Sequence, residues 1–142
     1  MSVIERLIAA AALVVAAHFA MGYINPSAGG SGGALLFPFA NNAGSRWVFG
    51  SLDGGPLVLL IPLMIGLAGI AVLAFFLGFL ATFGLWVPVD LWRPLVLIGV
   101  AASTALLVSH PSVWIALPLA VNAALAWVAW TLAWTPGAAY SA

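Results

Sequence analysis

The sequence predicts an all-α integral membrane bundle of four transmembrane helices, and three observations carry that prediction. Charge is nearly absent: the 142 residues include three Lys or Arg and three Asp or Glu. Hydrophobic residues make up 65% of the chain, with a mean hydropathy of +1.25. A water-exposed surface usually carries about a quarter to a third charged residues, so the solvent this chain suits is hydrocarbon. The apolar runs are also long. A spanning helix needs roughly 20 apolar residues to cross a core of about 30 Å, and residues 57–83 hold no charge. Nothing alternates with the two-residue period of a barrel strand.

The first span is expected at 3–24, stopped by Asn25-Pro26. Its apolar core resembles that of a signal peptide, with Val15-Ala16-Ala17 passing for a small-residue cleavage site. The mixed charge of Glu5 and Arg6 ahead of it argues for a retained helix instead. A second span is expected at 56–85, longer than the membrane core requires, and so tilted or kinked, with Pro62 as the kink site. The third, 91–109, tolerates Pro94 in its first turn. The fourth, 112–134, ends before Pro136-Gly137. All four belong to one domain, 1–142.

Tight links at 87–90 and at His110-Pro111 make spans two to four antiparallel neighbours. Spans one and two are joined by a long loop, 25–55, that opens with a Gly-rich stretch at 27–33. The short apolar piece at 34–39 is expected at the membrane interface or across the bundle mouth. Arg6 and Arg93 against Arg46 favour an N-in, C-in orientation with this loop outside. Trp86, Trp92, Trp127, Trp130 and Trp134 would then form an inner belt, and Trp47 and Trp114 mark the outer side.

Small residues recur at four-residue spacing: Ala12, Ala16 and Ala20; Ala74 and Gly78; Gly99 and Ser103, with Ala101 and Ala105; Ala116, Ala120 and Ala124. Such rows let helix backbones approach closely where water supplies no driving force. Asn122 is expected to tie span four to span three through Ser103 or Thr104. Asp90 and Arg93 set membrane depth, while Arg46 and Asp53 are solvated loop charges.

His18 is the most pointed residue. An ionisable side chain deep in a span is a functional hypothesis by default. It is either a structural histidine bonded to Ser103, Asn122 or a backbone carbonyl, or an axial ligand of haem or (bacterio)chlorophyll, or a group serving protons or quinone. His110 is a poor second axial ligand. Phe75, Phe79 and Phe83 form a ridge on one face, with Phe76 and Trp86 close by. Phe75, Phe79 and Trp86 are therefore candidate contacts for a quinone head, a carotenoid or a porphyrin edge. The same ridge serves equally to meet lipid tails or the tryptophan row of span four. The chain has no cysteine, no paired carboxylate in a span, no Ser-His-Asp set, no phosphate loop and no H-x-x-x-H pair. No metal site and no enzyme activity are expected, and zero formal net charge argues against nucleic acid as a partner.

Glu5-Arg6-Leu7, His18, Gly22-Tyr23, Gly66-Leu67-Ala68-Gly69 with Gly78, and Trp92-Arg93-Pro94-Leu95 give the chain a layout that resembles the DoxX-like group of small four-helix membrane proteins. Two departures stand out: no acidic residue occupies the second span, and the Gly-rich loop is unusually long. Some members of that group are associated with quinone-linked respiratory complexes. The resemblance therefore implies an accessory subunit and transfers no catalytic residue.

The resulting expectation is a non-catalytic accessory or scaffolding subunit of a larger electron-transfer or photosynthetic complex. Its partners would be membrane lipids and other integral membrane subunits, in a bacterial inner membrane. A pigment-, haem- or quinone-binding protein using His18 is the alternative, and a small-molecule carrier the third.

Overall fold

The computed structural model describes residues 1–21, 60–109 and 115–131. The described residues form four α-helices and no strand: α1 (Val3–Met21), α2 (Leu60–Phe83), α3 (Trp92–Ser109) and α4 (Ala116–Thr131). A short 3-10 turn, Val89–Leu91, leads into α3. Three segments, Val3–Met21, Pro62–Phe83 and Val89–Ser109, are long and apolar enough to cross a membrane; Ala116–Thr131 is shorter. The long loop, with Arg46, Asp53, Trp47 and the Gly-rich stretch, lies outside the described residues, as do His110, Trp114 and Trp134.

Two of the helix ends have a local cause within the described residues. At the start of α1, the Glu5 N–H donates to Ser2 Oγ at 3.3 Å and the Ser2 N–H donates to Glu5 Oε2 at 2.6 Å. This reciprocal pair is a capping box, satisfying donors that the first turn leaves without helical partners. Pro62 falls in the first turn of α2. At the other end, Gly84 adopts φ 65, its N–H donates to Ala81 O at 3.1 Å, and the Leu85 N–H donates to Leu80 O at 3.0 Å. This pair is a Schellman closure, which needs a residue in the left-handed region and favours glycine for lack of a Cβ.

Helix α2 is the hub, packing most extensively on α3 and then on α1, while α4 lies mainly against α3 and less against α1. The α2–α3 seam is antiparallel and tight. A Cβ added at Gly99 would stand 2.7 Å from Cδ1 and Cε1 of Phe75, so the bare backbone of α3 is the seat for a fully buried ring. Further along, Gly78 faces Val96 and Leu13, bringing α1, α2 and α3 together. Beyond that, Trp92 Nε1 donates to Thr82 Oγ1 at 3.0 Å, and Thr82 Oγ1 donates to the carbonyl of Gly78 at 2.9 Å. Thr82 is 0% and Trp92 1% exposed. Without water, a polar group must find its partner inside the protein.

Asn122 ties α4 to α3 as its place in the sequence suggested, and it uses both candidates. Its Nδ2 donates to Ser103 Oγ and to Thr104 Oγ1, each at 3.1 Å. Such interhelical bonds contribute about 1 kcal/mol.

The small-residue rows divide by face. Ala16, Ala20, Ala74, Gly78, Gly99 and Ser103 are buried between helices. Ala101 and Ala105 of α3 point outward, as do Ala116, Ala120 and Ala124 of α4.

The two interior glycines should respond in opposite ways. Gly99→Ala drives a methyl into the Phe75 ring and is expected to cost about 1–3 kcal/mol. At Gly78 an added Cβ meets Val96 and Leu13 at 3.6 and 3.7 Å, ordinary contact distances. Gly78→Ala should therefore leave stability unchanged or raise it by up to about 1 kcal/mol through helix propensity. Reversible denaturation of both variants in detergent checks the pair, and a Gly99→Ala bundle as stable as Gly78→Ala would contradict the seam geometry.

Candidate functional site

One groove brings together residues singled out separately in the sequence. It opens between α1 and α2 with a volume of about 310 Å³. Helix α1 contributes Leu13, Val14, Ala17, His18 and Met21; α2 contributes Val72, Phe75, Phe76 and Phe79. The 3.6-residue repeat explains both walls, since Val14, Ala17, His18 and Met21 fall at i, i+3, i+4 and i+7, as do Val72, Phe75, Phe76 and Phe79.

The groove has a buried floor and an open rim. Leu13 and Phe75 are fully buried, whereas Val14, Met21 and Phe76 are exposed along the outside of the bundle. The Phe75 ring therefore has two neighbours, the groove on one side and the Gly99 notch on the other. Ala17 keeps the α1 wall shallow beside His18. Among the lining residues His18 carries the one ionisable side chain, and it is half-buried. Its ring lies 6.4 Å from that of Phe19 at an interplanar angle of 58°. His18 stands fifteen positions after the first residue of α1, about 22 Å along the axis at 1.5 Å per residue.

His18, Phe75 and Phe79 are thus neighbours in one site, while Trp86 is not part of it. Trp86 sits at the tip of the α2–α3 connection and is 95% exposed. Its φ is 58, and the Val87 N–H donates across it to Leu85 O at 2.7 Å. This is a γ-turn with positive φ, a rare and strained form for a residue with a bulky side chain. The tryptophan belt also needs correction. Trp86, Trp127 and Trp130 face outward, but Trp92 turns inward because Thr82 offers its indole N–H a buried acceptor. Nor does the phenylalanine ridge meet the α4 tryptophan row: Trp127 and Trp130 are 70% and 72% exposed, away from the bundle. The ridge itself divides. Phe75 is interior, Phe79 is half-buried on the groove, and Phe83 packs edge-on to Phe79 with centroids 5.4 Å apart.

The groove is suited to holding an uncharged apolar molecule with one polar atom near His18. Among the described residues no three of His, Cys, Asp and Glu come together as a metal site.

Thr82 and Gly99 are structural residues that sequence reasoning did not assign to their partners. The available signal was a threonine and a tryptophan ten positions apart across a short turn, each needing a hydrogen-bond partner within an apolar medium.

Trp86→Gly removes the steric cost of a side chain at positive φ and breaks no packing contact, so stability in detergent should rise by about 1 kcal/mol; a fall in unfolding midpoint would show that the exposed indole has a structural partner. No protein-family model, curated protein or solved structure matches the chain.

Proposed function

We propose that this chain is a four-span integral membrane protein, N-in and C-in, acting as a non-catalytic accessory subunit of a larger complex in a bacterial inner membrane. The observation that carries this reading is the outward face of α3 and α4. Ala101 and Ala105 on one helix and Ala116, Ala120 and Ala124 on the other are left outside the bundle. In lipid, close approach of small residues is a principal means of holding helices together. The outward rows therefore suit contact with helices of another subunit. The layout resemblance to the DoxX-like group favours an electron-transfer assembly over a photosynthetic one.

The four-span reading counts the shorter helix Ala116–Thr131 as the fourth span. Arg6 and the Asp90–Arg93 segment lie at the inner surface. Trp86, at the tip of the inner turn, places an amphipathic ring at headgroup level.

A second reading is favoured by the α1–α2 groove: the chain binds a pigment, haem or quinone through His18. The meeting of His18, Phe75 and Phe79 in one groove is the support for it.

Two experiments test the primary reading. Extraction from native membranes in mild detergent should yield the chain with stoichiometric membrane partners, and Ala120→Leu should release it while leaving its helicity intact. A chain that migrates alone under several gentle extractions, or an Ala120→Leu variant that keeps its partners, counts against the accessory role. For orientation, the natural chain lacks cysteine, so Asp90→Cys provides a unique thiol. An impermeant maleimide should reach it in inverted vesicles and not in intact cells; the opposite result reverses the topology.

A further inference from the structure

The groove deepens that second reading by restricting what it admits, and the inference rests on it. Among the described residues its lining carries no charged carboxylate, ammonium or guanidinium group, so an ionic headgroup would be desolvated there without a counter-charge from them. Its rim, Val14, Met21 and Phe76, is exposed on the outside of the described helices. A molecule already dissolved in the bilayer enters by this route.

We propose that the groove binds a membrane-soluble flat-ring lipid of the quinone or quinol class, its ring against Phe76 and Phe79 and one ring oxygen bonded to His18. The walls differ in a way that suits a plate. Three phenylalanines of α2 present aromatic surface for offset or edge contact, and Ala17 and Val14 of α1 leave a shallow opposing side. A neutral imidazole has one donor and one acceptor nitrogen. Its N–H donates to a quinone carbonyl, or its bare nitrogen accepts from a quinol hydroxyl. One ring nitrogen suffices for either, whatever the other one bonds. The tail leaves over the open rim into lipid.

Size separates this ligand from the tetrapyrroles. About 310 Å³ is at the small end of ligand pockets, which run from about 300 to 1,000 Å³. One substituted ring fits within that volume, whereas a tetrapyrrole would project well over the open rim. A plain acyl chain would fill the same slot without using the imidazole, so a lipid tail makes a different prediction at His18.

The test uses the full chain in phosphatidylcholine nanodiscs, titrated with a decyl-tailed benzoquinone and read by native mass spectrometry. A saturable one-to-one adduct is expected. Ala17→Leu, which fills the shallow wall, should weaken it by at least about 10-fold, and His18→Leu by about 10-fold, the equivalent of one hydrogen bond. Ala11→Leu, on an exposed face of the same helix, should bind as the natural chain does. His18→Gln, which keeps a donor and an acceptor, should recover part of the loss. Equal binding by Ala17→Leu overturns the site. Equally tight binding of decylbenzene, which lacks the ring oxygen, reduces it to a slot for apolar tails and overturns the class. A haemin absorbance band lost in His18→Leu, with no quinone adduct, overturns the inference and leaves the broader His18 reading standing. If no ring ligand binds a bundle that remains helical, both fail together. Release of the chain by alkaline washing of membranes would instead refute the membrane setting itself.

Discussion

The antiparallel seam between α2 and α3 is the constraint on which the rest of the molecule depends. In hydrocarbon, two apolar helices gain nothing by hiding from their solvent, so they need shape or hydrogen bonds to stay together. This seam has both. Phe75 occupies the place where Gly99 has no side chain, and the Trp92 indole reaches Thr82 ten positions away around the turn. The two ties sit at different heights and fix the register between them. Helix α1 then adds to the junction at Gly78, and α4 hangs from α3 through the Asn122 amide. Without the seam, the α1–α2 and α3–α4 pairs would be held together mainly by the lesser packing of α1 on α4 and α3.

The turn that closes the seam is also its most strained part. Gly84 enters the left-handed region at no steric cost, but two positions later Trp86 does so with a large side chain. The chain cannot straighten there, because the Leu85–Val87 bond on one side and the Pro88–Leu91 bond on the other hold a short connection. Strain of this kind persists where flanking structure imposes it. Here the flanking structure is the pair of helices locked by Thr82 and Trp92.

The helices themselves were legible in the sequence because their signals are strong: long uncharged runs and proline or glycine near the ends. Their phases were not. When both core and solvent are apolar, a helix shows no polar stripe to mark its outside. Ala101 and Gly99 therefore looked alike as members of small-residue rows, though one faces out and the other receives a phenylalanine. Asn122 was an exception, since an amide in such a helix must find polar partners, and Ser103 and Thr104 were the nearest on the neighbouring span. Tryptophan near a span end suits the interface equally well; only the position of Thr82 turns Trp92 inward. His18, Phe75 and Phe79 each stood out alone. Their meeting depends on how α1 and α2 are rotated against each other, which periodicity alone left undetermined. The Ser2–Glu5 box stands in the sequence as an S-x-x-E pattern.

Phe75 belongs to two environments at once, walling the α1–α2 groove and resting in the Gly99 notch. By thermodynamic linkage, any occupant that favours the seated rotamer raises the unfolding temperature of the assembled helices, and any distortion of the notch returns as altered affinity. A single aromatic plate thus makes occupancy and architectural rigidity reciprocal quantities in this small protein.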